Sequence, residues 1–412
     1  MAIPPLFRLR GQALALAIAL LVALAGCAPT RHYEAALVLQ DFAAGAADSR
    51  LKRTTPEPVR QALAYTVAGR AHHADLYLPA ALEGCTAPPP AQPGQDLAPR
   101  CPRAALVAVP GAVPLGKDDP RLVAFATTMA RAGFAVLAPE ISGFRELRVR
   151  PADAQEIADA FAWLSRRPEL APDGRAGMAA FSYSVGPAVL AALQDDVRER
   201  VRFVVGVGAY YDLPRAMLFF TTGWFEHEGR WQTITPDDTG RMVLAYSSLD
   251  YLAAAPDREV FDRMVALRIR DPQANLAPLA AGLSPGAQAV YALAVNNDPA
   301  RFAELFARLP EAMRADIERL DLARHDLAPL QARLILVHGL NDNLIPWPES
   351  LALASAVPEG QARVFLIRRV LGHVDLSAPS VFTWRFWRED LPDLWRLWRM
   401  IDLLLAERED GA

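Results

Sequence analysis

This sequence has little cysteine and no surplus of positive charge. It has 3 cysteines in 412 residues, and its 43 lysines and arginines are outnumbered by 47 aspartates and glutamates, for a formal net charge of −4. Nucleic-acid binders usually carry a basic surplus on one face, so this balance argues against a polyanion as the main partner. Zinc-ligand spacing, a Walker loop and internal repeats are also absent. We expect no nucleic-acid partner, no metal and no cofactor.

A long apolar stretch is found at the N-terminus. Residues 13–25 follow two arginines, are too short to span a bilayer of roughly 30 Å, and are built like the core of a signal peptide. The stretch ends in Leu-Ala-Gly-Cys, which resembles the lipobox of bacterial lipoproteins. The resemblance implies removal of a signal peptide, residues 1–26, acylation of Cys27 and, with Ala28 in place of Asp, outer-membrane sorting toward the periplasm. The alternative is an ordinary signal peptide followed by a chance cysteine.

The other two cysteines, Cys85 and Cys101, flank a proline-rich segment that is unsuited to hold a fold unaided. In an oxidising periplasm they would close a loop of about 15 residues and constrain the unfolded chain by roughly 3 kcal/mol. We therefore expect a disulfide. Two free thiols are the alternative.

Strand-like and helix-like segments alternate in two separate parts of the chain. After a tether over residues 27–60, apolar runs without alternation are separated by helices over 61–212 and again over 331–412. This pattern is typical of a parallel sheet covered on both faces and predicts an α/β core. Residues 213–330 have mostly helical periodicity and no clear strands. They are predicted to form a helical cap insertion, with a purely structural subdomain as the alternative.

Three polar motifs follow one another in the order serine, acid, histidine. They are the serine turn Ala-Phe-Ser-Tyr-Ser-Val-Gly (180–186), the loop that carries Asp342, and the segment Leu-Gly-His-Val-Asp around His373. These motifs resemble those of the α/β-hydrolase family, in which the nucleophile lies on a sharp strand-to-helix turn. The resemblance implies an α/β-hydrolase fold, with His373 as the base and Asp342 as the acid that orients it. Asp375 remains a rival acid.

Two serines compete for the role of nucleophile, since neither lies in a literal G-x-S-x-G. Residues two positions to either side of Ser182 and of Ser184 are small, so sterics permit both. In similar hydrolases a strand that opens with Arg-x-Gly, here at Arg175, leads to a turn at Ser182. Counted from Ser184, Pro187 falls in the first helical turn, whereas counted from Ser182 it would remove a helical hydrogen bond at about 3 kcal/mol. We prefer Ser184 and keep Ser182 as the alternative.

An oxyanion hole needs backbone donors, each worth roughly 3 to 4 kcal/mol. One is expected from the residue after the nucleophile, which is Val185 if Ser184 is correct. The other is expected from Gly111 or Ala112, in the loop that follows the third strand. This loop departs from the family pattern because Pro110 stands where histidine is common.

The remaining titratable residues are expected to have structural roles. His338 would hold the loop of the acid together. The other histidines expected to be structural are His72, His73, His227 and His325. Three acidic residues are expected at solvated helix positions, namely Asp153, Glu156 and Asp159.

The sequence therefore predicts a lipid-anchored serine hydrolase that cleaves small-molecule carboxylic esters through an acyl-enzyme. Aromatic residues clustered near the start of the insertion could line an acyl or alcohol pocket, or form the core of the insertion instead. They are Tyr210, Tyr211, Phe219, Phe220, Trp224 and Phe225. The alternative function is a catalytically silent lipoprotein of the same fold that binds a ligand or an envelope partner.

Overall fold

The computed structural model describes residues 29–79, 101–252, 255–271, 273–373, 384 and 386–409. The predicted signal peptide, Cys27, Cys85 and Asp375 lie outside these ranges, so the anchor, the disulfide and the rival acid stay predictions. Within these ranges, no helix has the length and apolar character needed to cross a membrane.

A mostly parallel sheet forms the centre of the molecule. Ten strands are described: Val59–Val67 (β1), Arg70–Leu78 (β2), Ala104–Val109 (β3), Phe134–Pro139 (β4), Ala176–Phe181 (β5), Phe203–Val207 (β6), Trp224–His227 (β7), Arg230–Thr233 (β8), Arg333–Gly339 (β9) and Ala362–Ile367 (β10). Eight of them form one sheet in the order β1-β2-β4-β3-β5-β6-β9-β10. Only β2 pairs antiparallel with its neighbours, β1 and β4. This is the sheet of the α/β-hydrolase fold.

Helices cover both faces of this sheet. The described α-helices are Pro29–Ala44 (α1), Arg50–Thr54 (α2), Pro120–Arg131 (α3), Ala152–Ser165 (α4), Val185–Ala192 (α5), Leu213–Thr222 (α6), Thr239–Ser248 (α7), Ala255–Arg270 (α8), Ala277–Ala280 (α9), Pro285–Ala294 (α10), Phe302–Ala307 (α11), Glu311–Leu320 (α12), Pro348–Ser355 (α13) and Leu391–Ala406 (α14). All residues of β3 and β4 are buried. The apolar runs lack alternation because each strand packs against helices on both sides, which confirms the predicted sheet.

The N-terminal region differs from the tether predicted for residues 27–60. From Pro29 the chain is helical, and α1 buries Ala35, Ala36 and Val38 in the core. An alanine-rich composition is typical of a linker as well as of a closely packed helix. The burial of these small side chains lets α1 pack closely on the body of the protein.

Polar contacts fix α1 to the C-terminal helix α14 and the residues after it. The buried guanidinium of Arg408 donates to both carboxylate oxygens of Glu34, each at 2.6 Å. The indole of Trp398 donates to the carbonyl oxygen of His32 at 3.0 Å. The first described helix is therefore part of the folded core.

The insertion between β6 and β9 is mostly helical, in line with the helical periodicity of residues 213–330, and it has its own apolar core. It also contains the β7–β8 hairpin, which the periodicity did not reveal. Gly223, at φ +80°, ends α6, and the two turn residues Glu228 and Gly229 have φ of +51° and +73°. Positive φ at both turn positions is typical of a type I′ hairpin.

Candidate active site

The three motifs of the predicted triad meet at one edge of the sheet. Ser182 follows β5 directly, Asp342 lies in the loop after β9, and His373 comes after β10. These strands run parallel, so their carboxyl ends lie on the same side of the molecule. Such an edge is where ligands bind in open α/β sheets.

The chain turns sharply at Ser182. This residue has φ +59°, a left-handed conformation that non-glycine residues adopt at a cost of order 1–3 kcal/mol. It begins a 3-10 turn, Ser182–Ser184, that joins β5 to α5. Its side chain is half-buried and lines a cavity. These are the features of a nucleophile elbow.

Ser184 has a different environment, and the preference for it as nucleophile does not fit the structure. It is fully buried, and its Oγ accepts a hydrogen bond from the backbone N–H of Phe181 at 3.0 Å. The same oxygen lies 2.9 Å from the carbonyl oxygen of Phe181, to which the hydroxyl donates. Ser184 thus ties the turn to the end of β5.

Pro187 is compatible with Ser182 as the elbow residue, because α5 does not begin directly after this serine. The 3-10 turn separates Ser182 from α5, which begins at Val185. Pro187 is then the third residue of α5, where backbone N–H groups lack a partner within the helix in any case. The end of β5 at Phe181 agrees with the Arg-x-Gly opening at Arg175, which favours Ser182.

Asp342 and His373 form a close pair. Nδ1 of His373 lies 2.6 Å from Oδ2 of Asp342. The other carboxylate oxygen accepts the backbone N–H groups of Leu344 and Ile345 at 2.8 and 2.9 Å. Nε2 of His373 is buried and has no hydrogen-bond partner in the described part of the chain. This nitrogen is the one left to exchange a proton with a substrate or a nucleophile.

The carboxyl group of Asp342 is fully buried yet held in its charged form. Burial by itself opposes the charge, but attraction by His373 and hydrogen bonds from His338 and His373 keep the pKa of Asp342 well below its ordinary value. A carboxylate that stays ionised can orient the imidazole and stabilise its protonated form.

His338 supports the acid from the other side. Its Nε2 lies 3.0 Å from the carbonyl oxygen of Ile345 and 3.2 Å from Oδ2 of Asp342. Both neighbours are acceptors, so Nε2 carries the proton, and Nδ1, at 2.7 Å, accepts from the hydroxyl of Ser350. This buried imidazole holds the acid loop together, in agreement with the expectation.

Gly208, just after β6, is a site residue that the sequence argument missed. It has φ +69°, and a Cβ placed on it would lie 3.1 Å from Cε1 of His373 and 3.3 Å from Oδ2 of Asp342. Only glycine lets the backbone come this close to the pair. A glycine at the end of an apolar strand was the available signal.

The predicted oxyanion donors are only partly retained. The backbone N–H of Val185 is directed to the carbonyl oxygens of Ser182 and Tyr183, so Val185 does not fit this role. Gly111 lies beside the elbow, with its Cβ position 3.8 Å from Cβ of Ser182. Ala112 lines the same cavity as Ser182. With Ser182 at the elbow, the residue that follows it is Tyr183.

A cavity of about 130 Å³ connects the elbow to the insertion. Its wall is mainly apolar and includes Tyr210 and Phe220 from the predicted aromatic cluster, together with Val243 from α7. Phe219 and Phe225 instead pack edge to face within the insertion, with ring centroids 5.6 Å apart. The aromatic cluster is therefore divided between the wall of this cavity and the core of the insertion.

Two of the acidic residues expected at solvated positions of α4 are buried. Asp159 pairs with Arg70 at 2.6 Å and contacts His72 at 2.9 Å. Asp153 accepts the backbone N–H of Arg150 at 2.8 Å and the hydroxyl of Tyr183 at 3.2 Å. Burial outweighs these hydrogen bonds and raises the pKa of Asp153 to about 7.

Comparison with known proteins gives no family assignment. No protein-family model matches the chain, and no curated protein matches it. Similar solved structures include a putative hydrolase from Legionella pneumophila, at 11% identity and TM-score 0.47, covering 92% of this chain and 96% of that one. A puromycin-hydrolyzing peptidase of Mycobacterium tuberculosis has 15% identity and TM-score 0.44, over 85% of this chain and 38% of that one. A hypothetical protein from Pseudomonas aeruginosa has 16% identity and TM-score 0.39, over 86% and 98%. Likeness at this level does not identify a substrate.

The raised pKa of Asp153 predicts a pH-dependent stability. The carboxyl group of Asp153 binds a proton more tightly in the folded protein than in the unfolded chain. Its contribution to the free energy of unfolding is therefore fully present below about pH 4 and is lost as the pH rises toward 7. Asp153→Asn cannot titrate. We expect the unfolding free energy of the wild type, minus that of Asp153→Asn, to fall by a few kcal/mol between about pH 4 and about pH 8.

Urea unfolding at a series of pH values measures this difference. Asp159→Asn, on the same helix, is the matched control, because the hydrogen bonds of Asp159 with Arg70, Gln155 and His72 outweigh its burial and lower its pKa. Its difference curve should stay flat above about pH 5. A flat curve for Asp153→Asn as well would contradict the prediction.

Proposed function

We propose that this chain is a serine hydrolase that cleaves carboxylic esters of small molecules through an acyl-enzyme. Ser182 is the nucleophile, His373 the general base and Asp342 the acid that orients it. The observation that carries the proposal is the Asp342–His373 pair. It lies at the sheet edge where Ser182 also lies, and Nε2 of His373 has no hydrogen-bond partner among the described residues. The lipid anchor at Cys27, the periplasmic location and the Cys85–Cys101 disulfide belong to the same proposal.

The reaction has two halves. Oγ of Ser182 attacks the ester carbonyl carbon while Nε2 of His373 takes the hydroxyl proton, giving a tetrahedral oxyanion. The C–O bond to the alcohol then breaks, and His373 returns the proton to the leaving oxygen. In the second half a water molecule attacks the acyl-serine, again with His373 as base, and releases the carboxylic acid and free Ser182.

The oxyanion would be held by backbone N–H groups. Tyr183 supplies the donor that follows the nucleophile, and Gly111 or Ala112 supplies the second. The proximity of Gly111 to Cβ of Ser182 supports this assignment. Backbone donors of this kind are fixed before the reaction, so the developing charge requires little reorganisation.

The cavity indicates the size of the acyl group. At about 130 Å³ it lies below the 300–1,000 Å³ of most ligand pockets. Its apolar wall favours a hydrocarbon chain over a charged group. We therefore expect esters of short aliphatic acids to be preferred.

The choice between the serines can be tested with a fluorophosphonate probe and peptide mapping. We expect an adduct on Ser182 in the wild type and none in Ser182→Ala. Ser184→Ala is the matched control. It loses hydrogen bonds to Phe181 at about 1–3 kcal/mol of stability but should keep the adduct on Ser182. An adduct on Ser184 would reverse the assignment, and no adduct in a folded protein would favour the silent binder.

Gly208→Ala should lower turnover far more than it lowers stability. The new Cβ would displace His373 or Asp342, and a misplacement of about 1 Å costs on the order of 10²-fold in rate. Gly174→Ala is the control, since Gly174 has a similar φ, +67°, and nothing within 4 Å of its Cβ position. Steady-state kinetics should show the loss only in Gly208→Ala. Equal rates in the two variants would contradict the role given to Gly208.

Substitution of Val243 tests the acyl cavity. Val243→Phe should lower kcat/KM for p-nitrophenyl butyrate relative to acetate by about tenfold, because overpacking of this size costs roughly 1–3 kcal/mol. Val243→Ala enlarges the cavity and should shift the preference toward longer acyl chains. Unchanged preferences in both variants would show that the acyl group binds elsewhere.

A further inference from the structure

A second groove lies apart from the catalytic cavity, on the outer side of β10. Its volume is about 1040 Å³, and no residue that lines it also lines the cavity at Ser182. β10 is the last strand of the sheet. The groove runs between this strand, α14 and the start of α1.

The groove has a local surplus of positive charge in a chain whose formal net charge is −4. Its lining contains five arginines and a single acidic residue, Asp402. Two of the arginines have internal partners, since Arg31 pairs with Asp402 at 3.0 Å and Arg396 with Asp393 at 2.9 Å.

The other three arginines are Arg363, Arg368 and Arg399. All three are exposed, and none forms an ion pair with a described residue. Guanidinium groups bind phosphate through paired hydrogen bonds. Three such groups around one groove therefore favour a ligand that carries phosphate groups.

Tryptophans accompany these arginines. Trp395 and Trp398 line the groove and stack with ring centroids 4.7 Å apart. Trp398 is buried and its N–H is already bound to His32, so this pair forms the apolar floor of the groove. Trp384 and Trp387 are not part of the groove lining, but they precede α14, which borders it, and are 75% and 56% exposed. Indole rings are enriched at the interface between lipid and water, where one side is apolar and the N–H is hydrated. Arginine with exposed tryptophan favours a lipid surface over a free soluble anion.

The groove also lies close to the proposed anchor. Arg31 is four residues after Cys27 in the sequence, and it lines the groove. An extended chain of this length reaches about 15 Å at most. If Cys27 is acylated, as proposed above, the Arg31 end of the groove is therefore held within about 15 Å of the attachment site.

We propose that this groove binds the headgroups of anionic phospholipids in the membrane that carries the anchor. The lipid chain at Cys27 holds the protein at the bilayer, and Arg363, Arg368 and Arg399 bind phosphates and fix which face of the protein lies on it. A single acyl attachment alone would leave this orientation free.

Residue-resolved arginine modification tests the proposal on the full acylated chain. The protein is reconstituted in vesicles of phosphatidylcholine alone or with phosphatidylglycerol, treated with phenylglyoxal and mapped by mass spectrometry. We expect modification of Arg363, Arg368 and Arg399 to slow about fivefold or more with phosphatidylglycerol, and to recover at about 0.5 M NaCl. Arg230 and Arg263, exposed in the insertion, are internal controls and should not change.

A variant pair completes the test. In Arg363→Gln/Arg399→Gln the protection of Arg368 should be lost, whereas Arg230→Gln/Arg263→Gln, with the same loss of charge, should retain it. Equal rates of arginine modification on the two vesicle types would overturn the proposal. It would also be overturned if only neutral vesicles protected the three arginines, or if glycerol phosphate protected them in the absence of vesicles. The anchor is tested separately by sedimentation with neutral vesicles, which the groove is not expected to bind. If the chain fails to sediment with them, the anchor is refuted, and protection on anionic vesicles still tests the groove.

Discussion

The left-handed turn at Ser182 is the constraint on which the site depends. The chain must leave β5 and enter α5 within three residues, so the residues around the elbow have to be small and the nearby backbone has to come close. Ala180 and Ser184 are the small residues around the elbow, and Gly111 lets the neighbouring backbone come close. The hydroxyl of Ser184 then closes the turn by bonding the backbone of Phe181. A strained conformation persists here because its neighbours fix it from several sides.

The acid and the histidine are positioned by a different principle, which is the control of a buried charge. Asp342 lies where water cannot solvate it, so its charge depends on two backbone N–H groups, on His373 and on His338. Removing any one of these donors would leave a buried carboxylate less compensated, and its pKa would rise. The same contacts also fix the loop that carries Asp342. They therefore determine both the geometry of the Asp342–His373 pair and the charge of its carboxylate.

The mostly parallel sheet and the helical insertion could be predicted from the sequence, because apolar runs and helical periodicity report directly on them, and the pairing of Asp342 with His373 followed from the resemblance to α/β-hydrolase motifs. The choice between the serines could not be predicted. It depended on a 3-10 turn of three residues, which no periodicity records, and the proline argument presumed that the α-helix began earlier. The first helix was missed for a related reason, since alanine-rich composition suits both a linker and a helix packed closely on a core. Gly208 could be noticed but not interpreted, because its role comes from residues far away in the chain.

The two surfaces proposed here share a structural element. The loop that follows β9 begins at Leu340, which lines the arginine groove, and reaches Asp342 two residues later. The backbone N–H of Leu340 bonds the carbonyl oxygen of Ile367 at the end of β10, the strand that precedes His373. The acid loop is thus supported by the same edge of the sheet that borders the groove. A surface that bound lipid there would hold the protein at this sheet edge, next to the Asp342–His373 pair but without contact to it through the groove lining. If the groove binds lipid as proposed, the cavity at Ser182 would then lie at a fixed distance from the membrane.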